Sequence, residues 1–287
     1  MTAAIGLAGL AALFFGGSSV VLRMGLNRFA DVEVATVATV GSALAVALVA
    51  AAFEAPSRGV HASAAWPFLL AGLIQPGVGQ LLVTLSIREA GASRASVVLG
   101  MAPLASVTIA LIFLGEPARL PLIVGAVLIV AGGVELARDR GRPAHVRRRG
   151  YVFAFIVTIL LAVRDNLTRW LAGSTTAPPA VAATATIVGG MLLIGLVLGP
   201  RVRARLAWRP LLPFVAAGVL FGISYVLLFE AYFRGRVTVV SPLVATESLW
   251  GVALSLLLIR HTELVGRRVL AGAVLVVAGG VLIGIYA

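Results

Sequence analysis

The chain has no cysteine, no lysine and only three histidines, and charged residues make up just 12% of its 287 positions. Missing thiols exclude disulfides, thiol catalysis and thiolate metal sites. His61, His145 and His261 are scattered over predicted loops and fit no ligand spacing, so no metal site is expected. HExxH pairs, phosphate-binding Gly-Lys loops and nucleophile elbows are also missing. Asp165 and Glu247 are the one carboxylate pair an intramembrane enzyme could use, and no sequence feature brings them together for catalysis. No catalytic residue and no cofactor are therefore expected, and the chain is not expected to be an enzyme.

What is abundant is apolar: 60% of residues are hydrophobic. Soluble domains carry about 25% charged residues. A chain this apolar cannot hide its hydrophobic groups in one aqueous core, so lipid must be its solvent. The formal charge of +12 comes entirely from 23 arginines set in short loops between apolar runs. That pattern fits membrane topology and lipid head groups, and nucleic acid is not an expected partner.

Spanning a bilayer takes about 20 apolar residues. Ten candidate runs are present, at 4–22, 34–53, 66–87, 95–114, 120–137, 151–171, 180–199, 210–233, 237–259 and 268–286. The first has no basic leader and no clear cleavage site, so it is expected to be a retained helix. GAVLIVAGGV (Gly125 to Val134) returns 147 residues later as GAVLVVAGGV (Gly272 to Val281), identical at nine of ten positions. Glu116 and Glu263 share that offset, and Trp66-Pro67 and Glu89-Ala90 have later echoes at Trp208-Arg209-Pro210 and Glu230-Ala231. The landmarks keep their order, which marks a duplication.

Five spans per half force the second half to enter from the opposite side. The expected fold is an all-α integral membrane protein: ten transmembrane helices in two inverted five-helix repeats, over 1–137 and 151–287, joined by an Arg-rich loop at 138–150. Seventeen of the 23 arginines then fall in odd-numbered loops. By the positive-inside rule those loops are cytoplasmic and both termini are outside.

Arg164 and Asp165 stand inside the sixth run, about 20 Å from its Tyr151 end at 1.5 Å per residue. A charge at the centre of a spanning helix costs roughly 2.5–3.5 kcal/mol on insertion scales, so it marks a partner or a polar path. Asp165 and Arg169 are four apart and are expected to pair along one face. The repeat sets Gly16-Gly17-Ser18-Ser19 of the first run opposite Ala162-Val163-Arg164-Asp165, so these two stretches are expected to face each other. Glu247 lies mid-span in the ninth run, with Trp250 following on its face. Arg164, Asp165 and Glu247 are thus the candidates for substrate recognition or coupling. Ser18, Ser19, Gln75, Gln80, Pro103, Ser224, Tyr225 and Trp250 are candidates for lining a cavity. Gln75-Pro76-Gly77 predicts a kink, and Pro103 and Pro242 free backbone carbonyls within apolar runs. The GxxxG at Gly218–Gly222 is expected to pack helices, and Gly280 with Gly284 in the tenth helix to pack or to form a homodimer contact.

FGGSSVVLRMGL after the first apolar run, IFLGEP after the Pro-bearing fourth, and the GAVLxVAGG close of each half resemble the drug/metabolite transporter superfamily, specifically its EamA-type members. The resemblance covers essentially the whole chain. It implies a basket-shaped inner-membrane carrier, with helices one to four and six to nine around a central cavity and five and ten peripheral. Such carriers move amino acids, other metabolites, nucleotide sugars or toxic compounds, commonly outward. It also implies cytoplasmic termini, where the arginine asymmetry argues for termini outside. The expected function is therefore secondary transport, probable export, of small polar or amphipathic metabolites by alternating access, with membrane lipids and a small-molecule substrate as partners. The alternative is a non-transporting polytopic scaffold or interaction subunit, which buried charges pairing only with each other would favour.

Overall fold

The computed structural model describes residues 1–58, 62–90, 98–138, 148–205, 208–258 and 267–287. The three histidines and Glu263 lie outside the described residues. All regular elements among the described residues are helical, as lipid requires of a backbone that must satisfy its own polar groups. The longer helices are α1 (Thr2–Arg28), α2 (Val32–Arg58), α3 (Ala62–Gly72), α4 (Gly79–Ala90), α5 (Ala102–Phe113), α6 (Leu120–Arg138), α7 (Arg148–Ala172), α8 (Pro179–Val202), α9 (Trp208–Arg234), α10 (Val237–Val244), α11 (Glu247–Leu258) and α12 (Arg267–Tyr286). Seven stretches are long and apolar enough to cross a membrane, and α5, α6 and α12 supply three shorter apolar helices.

Two of the apolar runs are broken. Between α3 and α4, Leu73–Val78 forms one wide turn in which Gln75 is extended (φ −147°, ψ 116°). Pro76 cannot donate a backbone hydrogen bond, which accounts for the interruption there. Between α10 and α11, Ala245 and Thr246 form a turn three residues after Pro242. The expected continuous fourth helix through 95–114 is corrected: α5 runs Ala102–Phe113, with Pro103 in its first turn, where a missing N–H costs little.

Packing follows the duplication. Helix α1 packs on α9, and in the exchanged pair α7 packs on α4. Likewise α2 packs on α9, and α8 on α3. The pairs α2 with α8 and α6 with α12 join equivalent helices. The α6–α12 crossing is built on glycine. A Cβ on Gly125 would lie 2.9 Å from the Gly279 carbonyl oxygen, and one on Gly132 would lie 2.6 Å from that of Gly272. Moving forward along α6 thus moves backward along α12, so the two run antiparallel. Corresponding residues trade places across the contact, which is the signature of a two-fold perpendicular to the helices. Gly218 and Gly222 of α9 meet the α2 backbone at Thr39 and Ala43, so that GxxxG packs helices. Gly280 and Gly284 face open space, beside Val277, Val281 and Ile285 on the outer face of α12.

The interior divides into two main clusters. Phe68, Ile187, Phe214, Tyr225 and Phe229 fill the space among α2, α3, α8 and α9. Ala4, Ala8, Leu228, Tyr232, Val239 and Ile283 join α1, α9, α10 and α12. With lipid as the alternative solvent, these contacts stabilise through close packing more than through escape from water.

Candidate substrate site

Helix α7 carries two opposite charges in succession, and they bind each other. Arg164 donates to Asp165 Oδ1 from Nε (3.0 Å) and from Nη2 (2.6 Å). Their side chains are 11% and 5% exposed. The other carboxylate oxygen, Oδ2, accepts hydrogen bonds from Ser106 Oγ of α5 (2.9 Å) and Ser241 Oγ of α10 (2.8 Å). One carboxylate therefore ties three helices together with charge-assisted bonds, the stronger kind. Beside it, Asn166 Nδ2 donates to the carbonyls of Ser106 (3.0 Å) and Ala162 (2.9 Å), which leaves its Oδ1 unpartnered. The buried hydroxyls of Tyr232 and Thr238 have no hydrogen-bond partner among the described residues either. Tyr232 has Asp165 and Arg164 as its charged neighbours, and Thr238 stands one turn before Ser241.

Arg164 turns its other side to α9. Its guanidinium carbon sits 5.8 Å from the centroid of the Tyr225 ring, within cation–π range. The Tyr225 hydroxyl donates to the Gln75 carbonyl (3.3 Å), at the break between α3 and α4. Gln75 Oε1 is buried and unpartnered. Tyr225 is the middle of an i, i+4 aromatic ladder, Phe221–Tyr225–Phe229, with centroids 5.6 and 5.2 Å apart, and Phe15 of α1 meets Phe221 edge-on. Glu247 opens α11 at the second break. It is half-buried, and Arg164 is its charged neighbour. One helix break thus places Glu247 near Arg164, and the other meets the tyrosine on which Arg164 lies.

Several expectations change. Asp165 pairs with Arg164 and not with Arg169, which donates from Nη1 to the Tyr232 carbonyl (3.0 Å). The Gly-Gly-Ser-Ser stretch does not pack against α7, because the main neighbours of α1 are α9, α10 and α11, with a smaller contact to α2. Ser18 donates to the Ala217 carbonyl of α9 (2.8 Å), and Ser19 is exposed. Gly16 instead admits α11: a Cβ there would sit 2.8 Å from Glu247 O, Gly251 N and Trp250 Cβ. The first helix thus reaches Arg164 indirectly, through the Glu247 helix and through the Phe221–Tyr225 ladder of α9. Ser224 is buried and bonds the Phe221 carbonyl of its own helix (2.7 Å). Gln80 is half-buried, Pro103 buried, and Trp250 39% exposed beside Glu247. Sequence reasoning missed Ser106, Ser241 and Tyr232. The sequence held no shared signal for the two serines: Ser241 directly precedes Pro242-Leu243, whereas Ser106 follows Pro103-Leu104 by two residues.

Several charges away from the centre have structural partners. Arg205 joins Asp31 (2.6 Å) and Glu33 (2.5 Å), and its guanidinium is held above its ordinary pKa, chiefly by the Glu33 hydrogen bond. Arg149 pairs with Glu89 (2.9 Å), and Arg234 with Glu230. No cluster of three metal-ligating side chains is found among the described residues.

The duplicated apolar scaffold has a counterpart among known proteins. The model of the EamA-like transporter family matches residues 2–135 and again 148–285. The chain belongs to this family. As an EamA-like protein of the drug/metabolite transporter superfamily it is a multi-pass membrane transporter, and members of the family are transporters rather than enzymes. One crystal structure resembles the EamA-like chain with a TM-score of 0.78 at 20% identity, over 99% of this chain and 98% of its own, which shows the fold. Comparison with curated proteins gives no match.

Proposed function

We propose that this EamA-like protein is a secondary transporter that exports small polar or amphipathic metabolites by alternating access across the inner cell membrane. The proposal takes the chain as ten spans in two inverted repeats, 1–137 and 151–287, joined through 138–150. The observation that carries it is the Arg164–Asp165 pair, buried in an apolar helix, with Glu247 at one helix break as a charged neighbour of Arg164 and Gln75 at the other held by Tyr225, on whose ring Arg164 lies. Discontinuous helices that point at a polar centre are how many carriers bind solutes near the midplane.

In this mechanism Arg164 and Glu247 recognise the charged groups of the solute, and Tyr225 with Trp250 packs against its apolar part. Asp165 couples solute occupancy to helix position, because its carboxylate already grips α5 and α10. A scaffold has no use for unpartnered buried oxygens around such a pair; a carrier does, since a solute or water can satisfy them. Counterflow in proteoliposomes across amino acids, sugars, nucleosides and organic cations is the test. Arg164→Ala and Glu247→Gln are each expected to insert in the membrane and to lose flux. Undiminished flux in both variants would overturn the assignment.

A further inference from the structure

A cavity of about 370 Å³ opens where α5 and α7 end and α10 begins, with Leu114, Glu116, Arg169, Trp170 and Arg236 among its lining residues. Its charges are unevenly spent. The two oxygens of Glu116 accept the backbone N–H groups of Val237 (2.8 Å) and Thr238 (2.9 Å), so that carboxylate is committed to the first turn of α10. Arg169 uses one N–H on the Tyr232 carbonyl, and its other donors have no partner among the described residues. Arg236 is half-buried, and its guanidinium has no hydrogen bond or ion pair among the described residues. Two arginines with spare donors thus line one concave site together with Trp170, which is 61% exposed. An arginine that only snorkels carries its head out into open water. These two residues are each half-buried and line one pocket.

We propose that this pocket is a second, vestibular binding site that takes an oxyanion, a phosphate or carboxylate group, between Arg169 and Arg236. Arginine forks match such groups in geometry as well as charge. The site is separate from the central pair yet adjacent to it. Arg169 follows Asp165 by four residues, about 6 Å along α7, and Arg236 begins the helix whose Ser241 bonds Asp165. An oxyanion held here stands at the door of the Arg164 centre. Its chemistry could come from a soluble anion or from a lipid head group, and experiment separates the two.

The test uses the full chain with Trp66, Trp208 and Trp250 replaced by Phe, so that Trp170 alone reports. Inorganic phosphate is titrated in detergent while Trp170 fluorescence is followed. In parallel, native mass spectrometry counts lipids retained from phosphatidylcholine nanodiscs with and without phosphatidylglycerol. Saturable phosphate binding assigns a soluble anion; selective retention of phosphatidylglycerol assigns a head group; either supports the site. Arg236→Gln is expected to weaken whichever ligand binds by about tenfold or more, the effect of losing one charge-assisted bond. Arg236→Lys is expected to restore part of it, and Arg234→Gln to change nothing. Arg236 is the position of choice, because Arg169→Gln also removes the bond to Tyr232. No response to either probe in the parent, or equal binding by Arg236→Gln, would overturn the proposal. No flux is measured, so the outcome is independent of the transport assignment.

Discussion

Asp165 accepts four hydrogen bonds from residues on three helices, and its removal should be felt through all of them. Asp165→Asn leaves the Arg164 cation buried without its counter-charge, and breaking such a pair costs about 3–5 kcal/mol. Thermal unfolding in detergent is expected to show that loss, with much of it recovered in the Arg164→Gln/Asp165→Asn double variant. Equal stability of Asp165→Asn and the parent would contradict the arrangement. The charged members of this centre were legible in the sequence, because lipid makes a mid-span charge conspicuous. Their hydroxyl partners were not. Serine and threonine in apolar helices commonly bond the carbonyl one turn back, as Thr158, Thr184 and Thr186 all do here. Only the tertiary arrangement tells Ser106 and Ser241 apart from those.

Helix crossings here are set by which face a glycine occupies, and adjacent glycines can therefore differ sharply. A Cβ at Gly279 would meet the Gly125 carbonyl oxygen at 2.5 Å, whereas one at Gly280 would meet nothing within 4 Å. Gly279→Ala is expected to destabilise by about 1–3 kcal/mol, as overpacking does. Gly280→Ala should stay within about 0.5 kcal/mol in the same unfolding assay. A change in oligomeric state on Gly280→Leu, read by light scattering, would instead identify that open face as a dimer contact. Glu116→Gln is expected to loosen the start of α10 by about 0.5–2 kcal/mol, the range for a lost cap. Faster hydrogen exchange at the Val237 and Thr238 amides would report it. At this scale the apolar runs foretold nearly every helix. The break at Leu73–Val78 was visible in Gln75-Pro76-Gly77, but the one at Ala245–Thr246 carries no proline or glycine of its own, and Pro242 three residues earlier gave only its neighbourhood.

Sidedness belongs to the whole molecule, and a chain without cysteine reports it without background. Ala30, between α1 and α2, and Thr176, between α7 and α8, are both exposed, and the proposed ten-span arrangement puts them on opposite faces. Ala30→Cys and Thr176→Cys are expected to react with an impermeant maleimide from opposite sides. By the arginine asymmetry Thr176→Cys is the one labelled from outside; labelling of Ala30→Cys from outside would reverse the orientation. The α6–α12 crossing has a historical consequence as well. Gly125 meets Gly279 and Gly132 meets Gly272, so each half offers the other the same surface it receives. Two copies of a single five-helix ancestor, inserted in opposite directions, would already have made this contact with each other. Fusion of two such copies would have had no interface to invent and only a joining loop to add. Pieces 1–137 and 151–287, expressed separately, should find each other again in the membrane.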